Sequence, residues 1–202
     1  MSQIALPLDV RDSSGPVRIA VGNANRAAIE ALSEPARWPF RTAVLIGPAR
    51  SGKSLLARWF VESGAGEAID DAPLRDETSL FHAWNRAQER AVPLLLIGAP
   101  GWAVGLPDLA SRLSGSLHLA IGAPDDALIE DLLNSQAEQR RLILGEGAAA
   151  YLLPRIERSF AAVEAVVDAI DRLSLERQVP ATMSVWRDAL EAVQGPEQGR
   201  LL

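Results

Sequence analysis

At 202 residues, the chain is long enough for one domain with a substantial core, or for a medium domain with a small appendage, and it is too short for two full domains. An apolar share of 48% and a charged share of 23% exclude disorder as the main state, and the absence of cysteine excludes disulfides and thiolate metal sites. The net charge of −6 argues against direct, sequence-specific DNA binding, because no bulk positive field attracts phosphates.

Hydropathy indicates a protein without a membrane span. The longest apolar runs, such as residues 93–98, are far shorter than the roughly 18 residues that a span requires. The N-terminus lacks the basic start and apolar stretch of a signal peptide. We therefore expect a cytoplasmic protein.

The elements predicted in the first two thirds of the chain alternate between strand and helix. After a short tail to about residue 16 and an apolar stretch at residues 17–21, helices are predicted at residues 25–32, 54–63 and 77–90. Buried strands are predicted at residues 42–46, 93–98 and 116–121. This alternation is typical of a parallel sheet with crossover helices.

Only helices are predicted beyond residue 122. They cover residues 124–141, 147–156, 160–178 and 182–193, with Thr182 as the expected N-cap of the last one. We therefore predict an N-terminal tail (residues 1–16), an α/β subdomain (residues 17–122) and a helical lid subdomain (residues 123–202).

A phosphate-binding loop follows the first predicted strand. The sequence GPARSGKS matches the pattern G-x-x-x-x-G-K-[ST] between a strand and a helix, which is the context that a P-loop requires. Backbone N–H groups and the positive end of the helix would bind phosphates, the lysine would neutralise β and γ oxygens, and the last serine would hold Mg²⁺. The predicted nucleotide contacts are Gly47, Pro48, Ala49, Arg50, Ser51, Gly52, Lys53, Ser54 and the adjacent Leu55.

An acidic pair is the candidate partner of this loop. In the segment AIDD at residues 68–71, Asp70 is predicted to share Mg²⁺ with Ser54, and Asp71 to activate water. The alternative, an acidic loop on a solvated face, remains open because only Ala68 and Ile69 precede the acids. Since only a short connection separates this segment from the preceding helix, the sheet should be narrower than in larger P-loop cores.

Five separated segments together resemble the AAA+ ATPase module of the bacterial replication initiator DnaA and of the DnaA-homologous regulators of the Hda type. Residues 21–28 (VGNANRAA) are similar to the family's opening segment, which places Val21 and Gly22 over the nucleotide base. GPARSGKS and AIDD follow in family order, and residues 105–113 (GLPDLASRL) and 157–160 (ERSF) complete the set. The resemblance implies an α/β AAA+ fold with a narrowed parallel sheet, a C-terminal helical lid, and ADP or ATP with Mg²⁺ as ligands.

Two arginines take roles through this resemblance. Arg112 matches the family's arginine finger, and Arg158 matches the second sensor, which reaches from the lid to the phosphates. From the residues alone, Arg112 could be a surface cation, and Arg158 could pair with Glu157 or Glu164.

The sequence also departs from the family. The strand end that carries a polar first sensor in the family reads LIGA at residues 96–99, and Leu55 stands where the family often has histidine. The resemblance therefore implies weak or absent ATP hydrolysis by this chain. A helix-turn-helix domain would follow the lid in the initiator, and none follows it in this sequence.

The tail contains QIALPL at residues 3–8, which is similar to the Q-L-x-L-P-L peptide that docks on the DNA polymerase sliding clamp. Gln3 would hydrogen-bond at the rim of a pocket on the clamp, and Leu6 and Leu8 would fill the pocket. Pro7 would reduce the conformational entropy that the peptide loses on binding, and Ile4 completes the motif. The alternative is that these residues cover the domain's own surface.

Together these features predict an inhibitor of replication that binds adenine nucleotide, docks on the clamp near the replisome or nucleoid, and stimulates ATP hydrolysis by DnaA through Arg112 in trans. Two alternatives stay open: a non-catalytic module that binds DnaA and the clamp, and a stand-alone P-loop ATPase or kinase. The sequence leaves homodimer formation undecided.

Overall fold

The computed structural model describes residues 19–195 and divides them into two compact units. One unit comprises residues 23–122, and the other combines residues 19–22 with residues 123–195. None of the helices in this part of the chain is long and apolar enough to cross a membrane.

The α/β unit contains four strands and four α-helices within its described residues. In chain order these are α1 (Arg26–Leu32), β1 (Thr42–Ile46), α2 (Lys53–Glu62), β2 (Glu67–Ile69), α3 (Glu77–Glu89), β3 (Leu94–Ile97), α4 (Pro107–Ser114) and β4 (Leu117–Ala120). Short 3₁₀ turns lie at Pro35–Arg37, Pro39–Arg41 and Ala72–Leu74. The strand and helix predictions for this region are confirmed to within a few residues at their ends.

The sheet is parallel, with the strand order β2-β3-β1-β4. Its two central strands, TAVLI and LLLI, are continuous apolar runs, as expected where helices cover both faces of a sheet. The acidic strand β2 pairs with β3 alone and forms one edge. The prediction of a narrowed parallel sheet flanked by helices is therefore confirmed.

Alternating residues of the strands pack into helices on the two faces. On one face Val44 and Leu96 join Leu80 of α3 and Leu109 of α4 in a buried cluster. The helix α2 buries Leu56, Ala57 and Phe60, and the Phe60 ring stacks on Trp38 with a centroid distance of 5.2 Å. Helices packed on both faces fix the strands of the sheet in place. Ligands of α/β sheets bind at the carboxyl ends of such strands.

The second unit is helical. It contains α5 (Asp126–Gln139), α6 (Ala148–Leu152), α7 (Phe160–Arg177) and α8 (Met183–Gln194) around an aliphatic core with Trp186. Asp125 caps α5 by accepting the Leu128 N–H at 2.9 Å, and Ser159 caps α7. Thr182 occupies the predicted N-cap position of α8, but its hydroxyl contacts Ser184 and does not accept a backbone N–H.

Candidate functional site

The loop between β1 and α2 has the backbone of a phosphate cradle. Gly52 has φ +82°, a left-handed conformation that glycine adopts without strain, immediately before α2 begins at Lys53. Gly47 packs closely against Ile121, which directly follows β4. A Cβ on Gly47 would lie 2.9 Å from the Cβ of Ile121. Glycine is therefore favoured at both glycine positions of the P-loop pattern, by backbone conformation at Gly52 and by close packing at Gly47.

Lys53 is held inside the curve of the loop. Its Nζ donates to the carbonyl oxygens of Gly47 at 2.9 Å and Pro48 at 2.7 Å. Partial burial lowers the pKa of the Lys53 ammonium, while the nearby carboxylates of Asp70 and Asp71 act in the opposite direction. The hydroxyl of Ser51 is buried and has no hydrogen-bond partner among the described residues. A cation and an unpartnered hydroxyl in a glycine loop fit a phosphate ligand.

The predicted acids stand at the end of the edge strand. Asp70 and Asp71 directly follow β2, and the Asp70 carboxylate accepts the Asp71 N–H at 2.9 Å. Asp71 is exposed and has φ +51°. Both carboxylates act electrostatically on Lys53, so the structure brings the two predicted segments near each other at the carboxyl ends of the strands. Ser54 is exposed in the first turn of α2, and the Mg²⁺ ligand roles of Ser54 and Asp70 stay a prediction.

The end of β3 has no room for a polar sensor side chain. A Cβ on Gly98 would lie 2.8 Å from Cε3 of Trp102 and 3.2 Å from Cγ2 of Ile46. The Gly98 N–H is also fixed, because it donates to the Leu45 carbonyl at 2.9 Å. The departure from the family at this strand end thus has a steric basis in the Trp102 ring.

This packing predicts the outcome of substitution at Gly98. Gly98→Ala is expected to lower the free energy of unfolding by about 1 to 3 kcal/mol, because overpacking displaces a large ring. Urea unfolding measures the change, and Gly122→Ala, whose Cβ would meet only the Cα of Ala24 at 4.0 Å, is the control with little expected loss. Equal stability of the two variants would contradict the steric argument.

Arg112 lies on α4 and is half-buried against α3. Its guanidinium carbon is 4.3 Å from the ring centroid of Phe81 and 4.5 Å from that of Trp84, and its Nη1 donates to Oδ1 of Asn85. These are cation–π contacts with two aromatic faces. The side chain is therefore held in a defined place, and its role as a finger stays a prediction.

The remaining predicted contacts lie in the helical unit. Arg158 forms a bidentate ion pair with Asp126, with hydrogen bonds of 2.9 and 3.2 Å, and its predicted contact with phosphate stays a prediction. A Cβ on Gly22 would lie 2.9 Å from the Cβ of Leu128, so this glycine packs directly on α5. Val21 is partly buried. The predicted clamp peptide at residues 3–8 lies outside the described residues.

Sequence reasoning missed three side chains near these segments. Glu77 accepts the N–H groups of Gly105 and Leu106, Trp102 covers Gly98, and Trp84 stacks on Arg112. In the sequence, Glu77 appears only as the first residue of a predicted helix, and Trp84 only as part of the apolar stripe of that helix. Their contacts join segments far apart in the chain, and no local pattern indicates them.

Two comparisons of the sequence with known proteins found similarities to part of the chain. Residues 125–190 match the family model described as "Hda, lid domain". An uncharacterized protein of Haemophilus influenzae is 32% identical over 107 residues, which cover 50% of this chain and 46% of that protein. The chain thus spans about half the length of this relative.

Solved structures share the fold at low identity. Domain III of the replication initiation protein DnaA of Thermotoga maritima superposes with a TM-score of 0.71 at 15% identity, covering 88% of this chain and 95% of that one. AMPPCP-bound DnaA of Aquifex aeolicus gives 0.60 at 17% identity, covering 79% and 66%. The Thermotoga maritima RuvB branch migration motor gives 0.61 at 14% identity, covering 88% and 73%.

A parallel sheet with a P-loop, an acidic edge strand and a separate helical unit is an AAA+-like fold, shared with these solved structures. Within this fold, residues 125–190 match the lid domain of the Hda family, and the chain as a whole is similar in fold to domain III of DnaA.

Proposed function

We propose that this chain is a regulator of replication initiation that stimulates hydrolysis of the ATP bound to the initiator DnaA. Arg112 would act on that ATP in trans, as an arginine that stabilises negative charge on the transferring phosphoryl group. The observation that carries the proposal is the placement of Arg112, held against Phe81 and Trp84 in a chain with an Hda-type lid. Stimulated hydrolysis would leave the initiator with ADP and so limit reinitiation.

Adenine nucleotide is the proposed ligand of the chain's own P-loop. Lys53, the N–H groups of residues 47–54 and the buried Ser51 hydroxyl would bind its phosphates, with Ser54 and Asp70 as Mg²⁺ ligands. Solved relatives support this choice, since the Aquifex aeolicus DnaA structure contains AMPPCP. Bound nucleotide would stabilise the fold. The missing polar side chain at Gly98 supports weak hydrolysis by the chain itself.

Arg158 remains a candidate phosphate contact from the lid. Its present partner, Asp126, is 59% exposed in its side chain, and Arg158 itself is 60% exposed. Ion pairs this exposed contribute only about 0 to 1 kcal/mol, so exchange of Asp126 for a phosphate would cost little.

The direct test is a hydrolysis assay with the full chain, DNA-loaded clamp and initiator that carries labelled ATP. The proposal expects conversion of the bound ATP to ADP to accelerate only when the chain is present, and more strongly with the clamp. An unchanged rate would overturn the proposal and favour a non-catalytic binding module. ATP turnover by the chain alone would favour a stand-alone ATPase or kinase.

Docking on the sliding clamp is the second part of the proposal and rests on the QIALPL sequence. Simultaneous replacement of Gln3, Leu6 and Leu8 by alanine should weaken clamp binding at least about 100-fold, because each of these side chains would contribute on the order of 1 kcal/mol or more. Surface plasmon resonance with immobilised clamp measures the loss. Such docking would place the protein at the replisome or nucleoid.

The matched control replaces Asp9 and Val10, which follow the motif, by alanine. It should bind the clamp like the wild type, and both variants should bind nucleotide normally. Loss of nucleotide binding together with clamp binding would mean that the peptide belongs to the fold and would contradict the docking proposal.

A further inference from the structure

The helix α3 holds the helix α4 at both of its ends. At the start of α4, the Glu77 carboxylate accepts the N–H of Gly105 at 2.8 Å and of Leu106 at 2.5 Å. These donors belong to a helix N-terminus, where a carboxylate is favoured by the helix dipole. At the other end of α4, Arg112 contacts the aromatic rings and the amide of α3. The arginine and the helix that carries it are therefore both fixed by one neighbouring helix.

The α3 side chains that make these contacts share one helix face. Glu77, Phe81, Trp84 and Asn85 have spacings that place them on one stripe of an α-helix. The adjacent stripe, with Leu80 and Ala87, is buried in the sheet core. Because the buried stripe anchors α3 in the core, the face of α3 that contacts α4 is held in place.

The contacts leave most of the Arg112 hydrogen-bonding groups available. A guanidinium has five N–H donors in one plane. Its central carbon in Arg112 lies within cation–π distance of both the Phe81 and the Trp84 rings. Within residues 19–195, the side chain donates one hydrogen bond, to Asn85. The other N–H donors of the guanidinium therefore have no hydrogen-bond partner within these residues and can donate to phosphate oxygens, which a planar guanidinium recognises in a bidentate manner.

We infer that Trp84 and Glu77 are positioning residues for the finger: they set the plane and height of the Arg112 guanidinium before the partner's ATP arrives. This inference rests on the proposed function, because it concerns how Arg112 performs it. Immobilising a long side chain in advance lowers the conformational entropy lost in the transition state. Loss of a positioning residue should therefore lower the maximal rate of ATP hydrolysis more than it lowers the affinity for the initiator.

The test measures initiator ATP hydrolysis as a function of the concentration of full-length chain. Trp84→Leu should lower the maximal rate by about 10- to 100-fold, the range expected for a small misplacement of a reacting group, and leave the half-saturating concentration within about twofold. Trp84→Phe should restore the rate, because it keeps an aromatic face. It also removes an indole N–H that is buried without a partner among the described residues.

A double-mutant comparison separates positioning from a structural role. If Trp84 acts through Arg112, Trp84→Leu should leave binding of the initiator unchanged in an Arg112→Ala background, which no longer stimulates hydrolysis, whereas a general structural defect would weaken that binding. Glu77→Gln, which keeps size but loses one acceptor oxygen, should lower the maximal rate in the same way. It decides the question if Trp84→Leu fails to fold.

The two proposals fail in distinguishable ways. Full stimulation by Arg112→Ala would overturn the proposed function and this inference with it. Abolished stimulation by Arg112→Ala together with wild-type rates for Glu77→Gln and for any folded Trp84→Leu would overturn the positioning role alone.

Discussion

Replacing Arg112 with alanine is expected to abolish the stimulation of initiator ATP hydrolysis, a loss of about 10³ to 10⁵ in rate. An arginine supplied in trans offers positive charge and a planar pair of donors at the point where negative charge develops. Alanine has neither, and within residues 19–195 no other cation lies over the rings of Phe81 and Trp84. Single-turnover hydrolysis of labelled ATP bound to the initiator, with loaded clamp, measures this loss.

Two further variants make the Arg112 result specific. Arg112→Lys keeps the charge but loses the planar fork, so it should restore only part of the rate. Arg37→Ala removes an exposed arginine that pairs with Glu34, and it should stimulate like the wild type. Because Arg112→Ala also loses two cation–π contacts, its free energy of unfolding should fall by about 1 to 2 kcal/mol. Full stimulation by a folded Arg112→Ala would contradict the finger.

Much of the fold is readable from local patterns. Short apolar runs next to glycine or proline, such as TAVLI and LLLI, indicate buried strands. The glycines of the loop between β1 and α2 occupy positions where the backbone requires them, so this loop is also recognisable from the sequence. The narrowed sheet is also predictable, because the connection before AIDD is too short for another crossover. In the structure that acidic strand is indeed an edge strand.

Other features depend on contacts between distant segments and could not be predicted. Gly98 reads as a strand end, and only the structure shows that the Trp102 ring fills the space beside it. Phe40 and Arg41 have φ of 48° and 47°, a left-handed conformation that residues with large side chains disfavour. Neither position carries the glycine or asparagine that would predict it. The Gln88 side chain donates to the Phe40 carbonyl at 2.6 Å from α3 and stabilises this turn.

The candidate site shows the same division. Lys53 and the acids at residues 70 and 71 were predictable because the chemistry of phosphate and Mg²⁺ restricts their types and order. The partners of Arg112 and Arg158 were not, since arginine pairs with whatever the tertiary fold brings near. Local spacing offered Glu157 or Glu164 to Arg158, whereas the fold supplies Asp126 from another helix.

Replacing Lys53 with alanine is expected to weaken binding of ADP and ATP by about 10- to 100-fold, the value of one or more charge-assisted hydrogen bonds. The ammonium is already at the cradle, 2.9 and 2.7 Å from the Gly47 and Pro48 carbonyl oxygens, so phosphate oxygens can replace these partners with little rearrangement. Isothermal titration calorimetry gives the dissociation constants. A thermal-shift measurement checks them, because a ligand at 100 times its dissociation constant stabilises the fold by about 2.7 kcal/mol.

The control for Lys53→Ala is Arg58→Ala, which removes an exposed cation from the same helix α2. It should bind nucleotide like the wild type and show the same thermal shift, since a cation outside the cradle contributes only a screened long-range term. If Lys53→Ala still binds ADP with wild-type affinity, the loop is not the nucleotide site. If it loses nucleotide but retains stimulation of the initiator, the chain's own ligand is dispensable for the action of Arg112, and the two sites are energetically independent.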